Sequence, residues 1–388
     1  MTTQTKTTWR KVRIGELVAP ISETFDFGKR DKIIFLNTSD VENGHVLNHA
    51  ETTVSTLPGQ AKKRIKRGDI LYSEIRPQNK HVARVNFDAD NYVVSTKLMV
   101  LHPNEKFSAD FTYLTLMAPR TIKDFQTIAE SRSGTFPQIT FDAIKEYEIS
   151  IPSNRIQQQL IADALLAYDD KIELNNKISR TLEEMVQAIF KEWFVKFRFP
   201  GYEKAEFTDS KLGRIPKGWK IKNVLEIIER IPVGKKFEDK TALPLGRVPI
   251  LDQGQSGFIG YHNEEPGVIA SVGEPVVIFT NHTCYYRLIT YPFSVIQNIL
   301  PYIGTNSYPT LFVYYLTKNR IKLQEYKGHW PEFEAQVFVV PPVELAMQFK
   351  NTIQPMTAKI AEIEHENRKL AALRDLLLPK LMSGEIKV

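Results

Sequence analysis

Two short stretches of the 388-residue sequence carry side chains spaced for recognition chemistry. "EIRPQNKHVAR" sets Arg76, Gln78, Asn79, Lys80 and His81 side by side, and "ESRSGTFPQ" adds Arg132, Thr135 and Gln138. A guanidinium fork can pair with the guanine edge, and a side-chain amide with the adenine edge, by two hydrogen bonds in the major groove. Further along, "LDQGQSGFIGYHNEE" offers Gln253, Gln255, Tyr261 and His262, and "FTNHTCYYR" offers Asn281, His282, Thr283 and Arg287. Any one of these residues could equally cap a turn or strand. Their clustering is what points to a base-reading surface.

Local charge points the same way. Between positions 62 and 84, Lys62, Lys63, Arg64, Lys66, Arg67, Arg76, Lys80 and Arg84 stand against only Asp69 and Glu74. Such an excess suits contacts to phosphate, although a solvated basic face needs no ligand. The later half has no such concentration, so phosphate contacts there would fall to the scattered Lys235, Lys236, Lys240 and Arg247. The net charge of +6 fits a polyanionic partner without requiring one.

Catalytic signatures are missing. The sequence holds no G-x-x-x-x-G-K-[ST], no G-x-G-x-x-G, no H-E-x-x-H and no Pro-Pro-Tyr/Phe signature of an amino-methyltransferase. Glu264-Glu265 lies in a turn flanked by Gly and Pro and reads as a solvated loop. Cys284 is the only cysteine, which excludes an internal disulfide and a thiolate zinc cluster. No apolar run approaches the ~18 residues of a membrane span, and the first six residues lack the apolar stretch of a signal peptide. The cytoplasm is therefore the expected location.

The elements that must position these clusters emerge from an internal repeat. Residues 149–190 and 338–379 each begin as an apolar strand ending in proline (Ile151-Pro152, Val340-Pro341) and then become helical. Past a one-residue gap they stay in register, matching Arg180 with Arg368, Leu182 with Leu370 and Ile189 with Leu377. "WRKVRIGELV" from Trp9 likewise resembles "WKIKNVLEII" from Trp219. The order is thus globular block, long helix, globular block, long helix. Each block mixes β-like runs such as "KIIFLN" and "PVVIFT" with short helices, an α/β or α+β composition with a β-rich core.

Asn154 with Gln157 fits a helix-capping pattern, and Pro342 with Glu344 suits a first turn. In the second helix Ile353, Met356, Ile360, Ile363, Asn367, Leu370 and Leu377 follow the three- and four-residue steps of a coiled-coil seam, with Asn367 placed to fix register. The first helix repeats the seam through Leu160, Ile172, Leu182, Met185 and Ile189. Pro355 predicts a kink or break. Some 40 residues at about 1.5 Å each make a rod of about 60 Å, and two such rods are expected to pack antiparallel. "LAALRDLLLPKLMSGEIKV" at 370–388 would then lie against the region 182–190, leaving Leu376, Leu378 and Leu381 on an outer docking face.

With these features in hand, the chain resembles the specificity subunit of type I restriction-modification enzymes. The resemblance rests on "SKLGRIPKGW", "NNKISRTLEEMVQAIFKEWFVKF" and "ENRKLAALRDLLLPKLMSGEI". It implies two target recognition domains, each reading one half of an asymmetric, bipartite double-stranded DNA target. It implies two antiparallel helices that set the spacer and dock two methyltransferase subunits, which bind S-adenosylmethionine, so this subunit needs no cofactor or metal. Two restriction/translocase subunits can join. The implied division is recognition domain 1 at 1–151, spacer helix 1 at 152–197, a linker at 198–217, recognition domain 2 at 218–341, spacer helix 2 at 342–383 and a tail at 384–388. The competing reading is a coiled-coil scaffold whose blocks bind other proteins.

Overall fold

A computed structural model describes residues 8–254, 257–323, 325 and 327–388. The chain forms two compact units, the first discontinuous in sequence and the second contiguous: Met1–Ile172 with Lys369–Val388, and Glu173–Arg368.

The first unit begins with the strand Trp9–Arg13, which pairs antiparallel with Glu148–Pro152, the strand leading into the first long helix. A short helix, Ile14–Leu17, then delivers the chain to a four-stranded sheet ordered Val18–Ile21, Leu98–Pro103, Ile70–Ser73 and Val82–Arg84. A second four-stranded sheet contains the parallel pair Lys32–Leu36 and Tyr92–Ser95, with Ala61–Arg64 on its edge. Near-continuous apolar runs such as "LMVL" make strands buried on both faces, so side chains of Leu98–Pro103 fill two cores at once.

The second unit repeats this plan. Lys220–Asn223 pairs with Val337–Val340, the strand before the second long helix. A four-stranded sheet follows in the order Ile228–Arg230, Ile299–Gly304, Val276–Thr280 and Tyr286–Ile289. A smaller three-stranded sheet again contains one parallel pair, Val248–Leu251 with Ser294–Val295. The repeat inferred from the helices therefore extends through the topology of both blocks. Residues 198–217, read as a linker, hold the hairpin Phe207–Ser210 with Gly213–Pro216, turned at Gly213, whose φ of 96° suits a residue without Cβ.

The first long helix runs Arg155–Phe190 and continues as a π-helical turn, Lys191–Val195. Asn154 caps it, its Oδ1 accepting from the Ile156 N–H at 2.8 Å. The second runs Val343–Ser383 without a break, so the interruption expected at Pro355 does not occur. Pro355 is exposed while Ile353 and Thr357 beside it are buried. Packing of that inner face holds the helix, and the carbonyl deprived of its N–H partner faces the solvated side. Pro379 does not stop the helix either. Termination falls at Gly384, with φ of 78° and its N–H on the Leu381 carbonyl.

Within the second unit the helices run antiparallel: Asn175 meets Asn367 at 2.8 Å, and the Phe190 and Phe349 rings lie 5.8 Å apart. Within the first unit Arg374 reaches Asp169 at 2.5 Å. The end of the second helix thus packs on the start of the first, not on 182–190, as antiparallel pairing from Asn175 and Asn367 requires. Leu381 is buried with Ile161, Ala162, Leu165 and Leu166, and Leu378 packs on the same core, so of the proposed outer face only Leu376 is exposed.

The seam needs a similar correction. Ile353 and Ile363 are buried, and Met356, Ile189 and Leu377 pack on their cores, while Ile172, Leu182, Ile360, Asn367 and Leu370 are half-buried. Leu160 and Met185, however, are each 46% exposed, and their neighbours Ile161 and Val186 are buried instead. The first helix packs on a globular block as well as on the second helix. It therefore presents a broad apolar stripe, not a narrow seam.

Candidate nucleic-acid interface

In the first unit the hairpin joining Ile70–Ser73 to Val82–Arg84 carries the stretch singled out above. Its tip is a 3-10 turn, Pro77–Asn79, bracketed by Arg76 at φ 43° and Lys80 at φ 53°. Two non-glycine residues in the left-handed region cost about 1–3 kcal/mol each and persist only where surrounding structure imposes them. That structure is the second stretch. The Arg76 N–H donates to the Pro137 carbonyl at 3.1 Å, Ile139 N–H to the Glu74 carbonyl at 2.9 Å, and Ile75 bridges Gln138. The Gln78 N–H donates to Gln126 Oε1. Loops some sixty positions apart are thus clasped together, and Arg76, Gln78, Asn79, Lys80, Arg132 and Thr135 are all exposed around the clasp. Gln138 is half-buried, its Oε1 accepting from Lys97 at 3.4 Å, and the His81 ring bonds the Val41 carbonyl at 2.8 Å.

The basic run divides by role. Lys62, Arg64, Lys66 and Arg67 are exposed on and just beyond the edge strand Ala61–Arg64, and among the described residues their one ion pair is a distant one from Arg64 to Asp90 at 3.9 Å. Lys63, expected to meet phosphate, turns inward and donates to the Thr96 and Leu98 carbonyls at 3.0 and 2.8 Å. Strand alternation sends it to the opposite face from its neighbours, and burial pulls its ammonium below the ordinary range. Arg84 is likewise structural, held by Asp110 and lying 5.1 Å over the Tyr113 ring.

The second unit places Asn281, His282 and Thr283 in the hairpin between Val276–Thr280 and Tyr286–Ile289, the topological counterpart of the Arg76 hairpin. It too is clasped by the segment preceding a short helix: His329 N–H donates to the Asn281 carbonyl, Trp330 N–H to Asn281 Oδ1, and the His282 ring bonds the Lys327 carbonyl, each at 2.9 Å. Here most candidate side chains face inward. Gln253 accepts from the His282 N–H and donates to the Gln297 carbonyl, while Thr283 donates to the Gln253 carbonyl at 2.6 Å. Arg287 donates to the Gly254 carbonyl. His262 is buried, stacked on Phe237 at 4.0 Å and bonded to Ser294, and burial lowers its pKa. Asn281, Thr283, Gln253, Arg287 and His262 therefore build the loops. Lys235 is exposed but paired with Glu264 at 2.5 Å, and Lys236 is exposed. Gln255 lies outside the described residues.

Residues 6–184 match the family model for the type I restriction modification DNA specificity domain. The HindI specificity subunit of a type I restriction enzyme from Haemophilus influenzae is 49% identical over 190 residues, 49% of this chain and 41% of that protein. The MjaIX specificity subunit from Methanocaldococcus jannaschii is 28% identical over 287 residues, 66% of this chain and 65% of that one. In these matches the chain spans less than two thirds of either relative's length. A solved type I restriction-modification system S subunit from M. genitalium shares the fold, with a TM-score of 0.58, 15% identity and 98% of both chains covered.

In the first unit, Lys97 is a cation that the sequence reading missed. Its Nζ lies 3.9 Å from Glu74 and 3.4 Å from Gln138, placing it inside the loop clasp. Nothing in "VVSTKLMV" marks it, because only the pairing of Leu98–Pro103 with Ile70–Ser73 brings it to that position. The second unit also holds a cleft of about 1130 Å³ between its helix segments and its strands. Arg180, Arg287 and Arg368 line it together with Tyr261 and Tyr291, and Arg368 stands 4.5 Å over the Tyr291 ring. These residues come from both helices and two hairpins, so no local pattern announces the cleft.

Proposed function

We propose that this chain is the DNA sequence-specificity subunit of a type I restriction-modification complex. Each globular block reads one half of an asymmetric bipartite target in double-stranded DNA. The helices set the spacing and dock two methyltransferase subunits, which bring S-adenosylmethionine and the chemistry. Two restriction/translocase subunits can join the same assembly. The subunit itself is a non-catalytic adaptor that uses no cofactor or metal and works in the cytoplasm.

The observation that carries this reading is the pair of clasped hairpins at equivalent positions of two repeated sheets, bearing different residues: Arg76 to Lys80 in one, Asn281 to Thr283 in the other. A duplicated scaffold with diverged loops suits two unlike half-sites. Exposed cations on the edge strand that precedes the first hairpin in the chain suit phosphate. The test is a gel shift with the methyltransferase subunits present, at graded salt, on duplexes carrying the target found by sequencing the host's adenine methylome. Binding should weaken steeply with salt and require both half-sites. Binding indifferent to salt and sequence would favour the scaffold reading.

The spacer assignment has its own consequence. A four-residue insertion beside Asn175 adds about one helical turn and displaces Asn175 from Glu366 and Asn367, with which it bonds at 2.8 Å. The methylated motif should then show an altered gap between unchanged half-sites. An unchanged gap would remove the helices from that role.

A further inference from the structure

Among the described residues four aromatic side chains are exposed: Phe136, Tyr202, Phe207 and Phe258. Phe207 is engaged by Phe197 and Arg214, and Phe258 by Tyr261, while Tyr202 lies in the 198–217 stretch, which holds no candidate base-reading residue. Phe136 differs from all three. It is 47% exposed, has no stacking or cationic partner among the described residues, and sits next to Pro137, whose carbonyl takes the Arg76 N–H. Its own N–H is held by Ser133 Oγ at 3.2 Å, which fixes the loop that presents it.

Leaving a phenyl ring in water forgoes about 2 kcal/mol of burial, and single exposed apolar residues are common. The surroundings are what separate this one. Every other exposed side chain at the clasp is polar: Arg76, Gln78, Asn79, Lys80, Arg132 and Thr135. Those groups supply donors and acceptors for guanine, adenine and cytosine edges. Of these only Thr135 carries a methyl group, and none offers the broad apolar face of a phenyl ring for the contact by which the thymine methyl is distinguished in the major groove. Phe136 completes the set.

We propose that Phe136 is a specificity-determining residue that reads the 5-methyl group of one thymine in the half-site bound by the first unit. The inference rests on the DNA-recognition reading above and names a base for it.

Deoxyuridine tests it directly, since it keeps every hydrogen-bonding group of thymidine and lacks only the methyl. The assembled complex is titrated by fluorescence anisotropy with duplexes in which each thymidine of the target is replaced singly. One replacement, in one half-site, should weaken wild-type binding about fourfold, the value of one buried methyl group. F136A should lose that preference, binding the two duplexes equally, with the other half-site unaffected. F136L, which keeps an apolar contact, should retain part of it. Thermal melts of the variants serve as the folding control.

Wild-type indifference to every deoxyuridine would overturn the inference, as would an undiminished methyl preference in F136A. An F136A that weakens thymidine and deoxyuridine duplexes alike, keeping their ratio, would make the ring a wedge instead. If the wild-type complex ignored the half-sites altogether, the recognition reading would fall first.

Discussion

Replacing Phe349 by Ala should destabilise the second unit by about 3–5 kcal/mol. Phe349 is fully buried, with ring centroids of Phe194 at 5.1 Å, Phe190 at 5.8 Å and Trp193 at 5.9 Å. Those three rings belong to the far end of the first long helix and Phe349 to the start of the second, so truncation removes the centre of an aromatic cluster that joins them. The cluster draws on two helices and on Phe312 of the block, and a void there cannot collapse without moving all three. Urea unfolding followed by tryptophan fluorescence is the measurement, since Trp193 and Trp219 both report from this core. A loss below about 1 kcal/mol would mean that the cluster rearranges freely, contrary to close packing.

Changing Lys62, Arg64, Lys66 and Arg67 together to Ala should weaken DNA binding about 10- to 100-fold near physiological salt. All four are exposed. Each phosphate left without its cation should reduce the slope of log affinity against log salt by about 0.9. Lys63 supplies the internal control. With its ammonium on the Thr96 and Leu98 carbonyls, Lys63→Met should leave that slope unchanged and lower stability by about 1–3 kcal/mol, the cost of buried acceptors without a donor. An unchanged slope in the fourfold variant would place the phosphate path elsewhere on the molecule, and a changed slope for Lys63→Met would contradict its inward orientation.

What the sequence disclosed follows from how local each feature is. The repeat, the two long helices and the clustering in "EIRPQNKH" are properties of neighbouring residues, and periodicity and punctuation record them. The clasp between Glu74–Arg76 and Pro137–Ile139 was half visible: both stretches stood out by composition, but only the sheet brings them together. Lys63, Arg84 and His262 were misjudged for one reason. Residue type indicates what a side chain can bond, while the face of the strand decides whether its partner is a carbonyl inside or a ligand outside. In the same way, an assumed coiled-coil seam selected Leu160 and Met185, because the second packing surface, the block itself, leaves no mark on helical spacing.

The discontinuity of the first unit bears on the order of events during synthesis. Its opening strands emerge from the ribosome early, but Leu377, Leu378 and Leu381, which pack on Ile161 and Leu165, are made only after the whole of Glu173–Arg368. The nascent first block must hold an unfinished apolar surface through about half the chain's translation, at roughly 5–20 residues per second. It is thus the part first made and last completed, and contacts of this sequence separation slow closure while prolonging exposure to aggregation.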